Sequence, residues 1–228
     1  MKSCVIGALV LGVVLAGCAG TATEGRTDVP KSVPDSALNE LLLSADDVNA
    51  VMGTSGMAAH DPVVTVMGDN RNLLPNLNGL GVWQVNQAPI YDPSHWKSLR
   101  QQLLRAPDVD QWDYLMVQSV VSYRTADGAR AFFDQSAERW SQCTNHHVNI
   151  RLNDAPLPAW LSGDLTRTDT RLTMPYTRGA GAQTRSCERV LAVAANVIID
   201  VQACKPQQQT PITSAAEVAD KIESKVPG

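Results

Sequence analysis

Apolar positions along this chain fall into a few clear periods. From Gln111 to Tyr123 both alternate sets of residues are substantially apolar. Tyr114, Met116, Gln118, Val120 and Ser122 share one face; Leu115, Val117, Ser119, Val121 and Tyr123 share the other. That pattern predicts a central strand, covered on both sides. Thr125 then stands as the cap of a helix running to about Gln142, with Ala129, Phe132, Phe133, Ser136, Ala137 and Trp140 as its apolar stripe. Ser44 precedes a shorter helix to about Met52, and Gly53 suits its left-handed end. A further short helix is predicted over 35–41, and a last one carries Ile212, Ala215, Val218, Ala219, Ile222 and Val226, with Ser214 and Glu217 as a capping box. Strands are predicted over 61–67, 81–85, 147–152 and 165–177, and a short helix over 95–105. The stretch from Cys187 to Cys204 reads as a hairpin with Ala195-Asn196 at its turn. The whole is an α+β domain with a mainly antiparallel sheet and helices on one face.

The N-terminus sets the compartment. Met1-Lys2 is a short positive region, and Val5 to Leu15 is an apolar run too short to span a bilayer well. It ends in Leu15-Ala16-Gly17-Cys18, which resembles the lipobox of bacterial lipoproteins. The resemblance implies cleavage before Cys18 and acylation of its thiol. The expected organisation is a lipoprotein signal peptide over 1–17, a flexible small-residue tether over 18–34 and one domain over 35–228. The protein is then held by lipid on the extracytoplasmic face of the cell membrane.

Five cysteines are present. Cys4 leaves with the signal and Cys18 carries lipid, so Cys143, Cys187 and Cys204 remain in an oxidising compartment. With a two-residue turn, Ala194 faces Val197 and Cys187 faces Cys204 as a non-hydrogen-bonded pair, the pair type with the closest side chains. This register favours the Cys187–Cys204 disulfide over either pairing with Cys143.

Charge narrows the partners. The formal net charge is −4, and it becomes one unit more negative when Lys2 leaves. An acidic, exported chain is a poor candidate for nucleic-acid binding. No nucleophile elbow, metalloprotease helix, phosphate loop or dinucleotide fingerprint occurs, so no enzyme activity and no cofactor are expected. Cys143, His146 and His147 are close enough in sequence for a Zn or Cu site, but no fourth ligand is nearby, and a buried thiol beside polar histidines is the simpler reading. Trp83, Trp96, Trp112 and Trp160 are candidates for lining a ligand groove or for filling the core, whereas Trp140 belongs to the helix stripe.

Three stretches carry a wider resemblance: Leu42 to Met57, the Ala129–Cys143 segment with Trp140-Ser-Gln-Cys143, and Cys187 to Cys204. In this order they resemble the extracellular sensor domain of the mycobacterial serine/threonine kinase H, and the actinobacterial lipoproteins that carry this domain alone. The resemblance covers roughly residues 36–227. It implies one α/β domain with a large cleft for a ligand and no catalytic site. It also implies a second disulfide from the Trp-x-x-Cys cysteine to an earlier partner. No cysteine lies between 18 and 143, so Cys143 is expected to be unpaired. The resulting expectation is a lipid-anchored sensor-like domain binding a small envelope ligand. The alternatives are a module docking on an envelope protein or receptor kinase, and a metal-binding lipoprotein.

Overall fold

A computed structural model describes residues 32–152, 155–157 and 160–227. The expected signal peptide, Cys18 and nearly all of the expected tether lie outside the described residues. The principal elements are α1 (Leu38–Leu41), α2 (Ala45–Met52), β1 (Ala58–Ala59), α3 (Leu77–Trp83), α4 (Ala88–Tyr91), β2 (Ser98–Ala106) and β3 (Tyr114–Ser122). There follow α5 (Ala126–Ser141), β4 (His147–Val148), β5 (Arg151–Leu152), β6 (Ala155–Pro156), β7 (Trp160–Ser162) and β8 (Thr166–Arg167). The chain closes with β9 (Arg171–Arg178), β10 (Arg185–Ala194), β11 (Val197–Pro206) and α6 (Ser214–Glu223).

Among the described residues, nine strands form one antiparallel sheet in the order β1-β2-β3-β11-β10-β9-β7-β4, with β8 beside β9. The fold is α+β and the sheet is antiparallel, as the periodicity predicts. The helices, however, pack on both faces and not on one. Leu191, Val193 and Ile198 join the core under α3, α4 and α5, whereas Val190, Ala192 and Ile199 join the core under α1, α2 and α6. The physical reason is the two-sided apolar character of β3, β10 and β11: a strand greasy on both faces needs a cover on each.

The hairpin at the centre of the sheet has the expected register, with Ala194 opposite Val197 and Cys187 opposite Cys204. The two sulfurs are bonded at 2.03 Å. The turn is built otherwise than its residues suggest. Ala195 takes the positive φ, at 48°. Asn196 is buried and uses its side chain as a clasp: Oδ1 accepts from the Val33 amide at 2.7 Å, and Nδ2 donates to the Val33 and Tyr123 carbonyls. Val33, assigned to the tether by composition, is therefore 3% exposed and part of the domain.

Several local expectations are replaced. The 95–105 segment is not a helix but strand β2, which ladders along the free edge of β3. Residues 81–85 are not a strand: Asn76 accepts from the Gly79 amide and starts helix α3, which ends at Trp83. Residues 61–67 contribute only an isolated bridge, Val64 to Gln101. The 147–152 strand is split into β4 and β5.

The last helix is capped from outside itself. Its first residue is Ser214, preceded by Thr213, which makes no side-chain cap bond. The Glu188 carboxylate accepts instead from the Ala215 and Ala216 amides at 2.8 and 3.1 Å. Glu188 is 3% exposed. Burial raises its pKa to about 7, against the opposing pull of those two amides. The folded carboxyl thus binds a proton more readily than the unfolded one. Stability is accordingly lost as pH rises from about 4.5 to about 7, and is level above that. Relative to the Glu188→Gln variant, the native chain should lose about 1–3 kcal/mol between pH 5 and pH 8 in urea unfolding. An equal difference at both pH values would refute this assignment.

Candidate functional site

The sheet face beneath α3, α4 and α5 carries a polar seam that positions the chain above it. Arg189 on β10 and Asp200 on β11 form an ion pair at 2.6 Å, with side chains 0% and 2% exposed. The Arg189 guanidinium donates to the Val82 and Gly81 carbonyls at 3.1 and 3.3 Å, satisfying the end of α3. It also lies over the Trp140 ring of α5, 5.3 Å from its centroid. The other Asp200 oxygen accepts from the Tyr91 hydroxyl at 2.8 Å, fixing α4. Burial, and then the Asp200 charge, push the Tyr91 hydroxyl well above its ordinary pKa. Asn86 extends the seam, donating to Gln101 and Ser119 on β2 and β3.

Held this way, Trp83 at the end of α3 forms one wall of a cavity of about 310 Å³. Trp112, from the β2–β3 connection, and Trp160, on β7, form others, with Ile150 and Leu157 beside them. Trp83 and Trp160 are buried, at 6% and 1% exposed, and Trp112 is half-buried. Arg178, Gly179, Gln183 and Arg185 line the side where β9 passes into β10. Gly179 has φ 96°, and a Cβ there would collide with the Gln183 carbonyl, so this turn requires glycine. Arg178 lies over the Trp112 ring, 5.2 Å from its centroid. Arg185 donates to Asp113 at 2.9 Å and to the Trp112 carbonyl at 3.2 Å.

Three of the four candidate groove tryptophans therefore meet at one cavity. Trp96 does not: it packs against the same core and donates to Asp92 at 2.9 Å. The two cavity arginines were not signalled by the sequence, because their placement depends on the pairing of β9 with β10. Cys143, His146 and His147 border another surface concavity. Cys143 is buried and free, and burial raises its thiol pKa. Both histidines are exposed. Among the described residues no group of three His, Cys, Asp or Glu side chains is placed to hold a metal ion.

The domain is thus a two-sided α+β scaffold with an aromatic-lined cavity at the end of one face. The family described as PknH-like extracellular domain matches residues 33–225, and this chain belongs to that family. It is 32% identical over 224 residues to serine/threonine-protein kinase PknH of Mycobacterium bovis, covering 96% of this chain and 36% of the relative. The PknH of Mycobacterium tuberculosis (strain CDC 1551 / Oshkosh) is 33% identical over 199 residues, covering 86% of this chain and 30% of the relative. The chain thus spans about a third of the length of these curated relatives. The crystal structure of the extracellular domain of PknH from Mycobacterium tuberculosis superposes with a TM-score of 0.76 at 30% identity, covering 86% of this chain and 97% of that one. The match falls on the extracellular domain and not on a kinase catalytic domain, which points to an extracytoplasmic setting. Among the described residues no helix is long and apolar enough to cross a membrane.

Arg189→Met should cost about 3–5 kcal/mol in chemical denaturation, because it leaves Asp200 buried without its cation. A loss below about 1 kcal/mol, the range of an exposed pair, would show that the seam does not hold the fold.

Proposed function

We propose that this protein is a membrane-anchored exported lipoprotein whose sensor-like domain binds a small envelope ligand in the tryptophan-lined cavity. The observation that carries the reading is the convergence of Trp83, Trp112 and Trp160 with Arg178 and Arg185 around a space of about 310 Å³. That is the lower end of the range of about 300–1,000 Å³ typical of small-molecule sites. Aromatic walls with a few polar groups hold a ligand by area and orient it by hydrogen bonds. Family membership supports the extracytoplasmic setting, and the Leu15–Cys18 motif supports the anchor. The domain makes no use of metal or catalysis in this reading. It reports occupancy to another envelope component.

Anchoring is tested by Cys18→Ser. The native chain should incorporate a palmitate analogue and sediment with membranes, and the variant should do neither; unchanged sedimentation would refute lipid anchoring. Binding is tested by native mass spectrometry of the full-length chain after incubation with envelope extract. Retained mass should be found on the native chain and lost from Trp112→Ala, with the variant's thermal unfolding monitored to confirm folding. Equal retention by both would remove the cavity from consideration.

A further inference from the structure

We infer that the cavity takes an anionic sugar, its ring packed against the half-buried Trp112 and its carboxylate or phosphate held by Arg178. The inference rests on the cavity being the binding site, as proposed above, and adds the chemical class of its ligand. The argument is one of unspent capacity. Arg185 is already engaged by Asp113, and Asp110 on the cavity rim lies 3.9 Å from Arg105. Among the described residues Arg178 has no ion-pair partner and no side-chain hydrogen bond; its guanidinium lies over the Trp112 ring. A half-buried guanidinium laid on an indole is fixed in direction and keeps its donors for a ligand oxygen. Arg178 is therefore the cavity's cation with donors to spare.

The remaining walls select a ring. Sugar C–H faces pack on the electron-rich faces of indoles, while ring hydroxyls both donate and accept and are matched by polar side chains. Gln111 and Gln183 supply amides that both donate and accept. Both glutamines are exposed, and the Gln183 Oε1 already accepts from Arg185 at 3.1 Å, so the Gln111 amide and the Gln183 Nε2 group offer the neutral polar contacts that a hydroxylated ring uses and an apolar aromatic anion does not. The size of the space favours a single ring with its substituent.

The test is ligand-observed saturation-transfer NMR and tryptophan fluorescence titration on the full-length chain in detergent micelles. The probes are glucuronate, a hexose phosphate, glucose and indole-3-acetate, at millimolar concentration. One or both anionic sugars should bind about ten-fold more tightly than glucose, a preference that Arg178→Gln removes and Arg178→Lys largely keeps. The two anionic probes distinguish a carboxylate from a phosphate as the recognised group. Glucose binding as well as both anionic sugars, or indole-3-acetate binding more tightly than either, overturns the anionic-sugar assignment and leaves the cavity as the site. Failure of both anionic sugars to bind also overturns it. If the mass retained from envelope extract is then unaffected by Trp112→Ala, the cavity reading falls as well.

Discussion

The Arg189–Asp200 pair is the interaction on which the site depends. It sits on the two central strands, fully enclosed, and each partner spends its remaining hydrogen-bonding capacity on a different helix. Arg189 holds the carbonyl end of α3, where Trp83 leaves the helix for the cavity wall. Asp200 holds α4 through Tyr91, and Tyr91 packs on Phe132 of α5 at 4.2 Å between ring centroids. A buried ion pair contributes little net stability when judged against an apolar replacement. Its value here is directional. Apolar packing alone would allow α3 to slide on the sheet, whereas carbonyls pointed at a fixed guanidinium do not move without leaving a charge unmatched.

The same two strands are loaded from the other side in a related way. Glu188 lies one residue from Arg189 and so points through the opposite face. There it meets the free amides of α6, and α6 seals the second core with Ala215, Val218, Ala219 and Ile222. β10 thus presents a cation to one helical layer and a carboxyl group to the other at consecutive positions. Each satisfies a helix end with groups of the complementary kind: guanidinium donors at carbonyls, carboxyl oxygen at amides. The Cys187–Cys204 bond beside them ties β10 to β11 where both side chains are mounted.

Strong single-element signals were legible in the chain. The two-faced strand β3, the stripe of α5 and the hairpin register all stand as the periodicity predicts, because each is determined by its own residues. What failed was decided by neighbours. Residues 98–106 carry Leu99, Leu103 and Leu104 at helix-compatible spacing, yet β3 offers an open edge and its ladder prevails. Val82 and Trp83 look like strand residues until Asn76 caps the turn before them. The helices cover both faces and not one because both faces of β3 are apolar, and each needs a cover. In the site, the tryptophans were recognisable by type. Their grouping, the exclusion of Trp96 and the arrival of Arg178 and Arg185 depended on strand order.

These facts bear on how the domain would respond to a ligand. Arg185, Cys187 and Arg189 fall on one face of β10 at alternate positions, so the cavity cation, the disulfide and the core ion pair share one rigid strand. Arg178 ends β9 opposite Arg185 on β10 and Trp160 on β7, so it stands on the same laddered sheet. Trp112 is mounted differently, in the connection between β2 and β3. A ligand drawn between Arg178 and the indoles would therefore meet a sheet pinned through both layers and one wall carried by a connection. An effect of occupancy on the domain would then be best sought in that connection and not in the helices that frame the cavity.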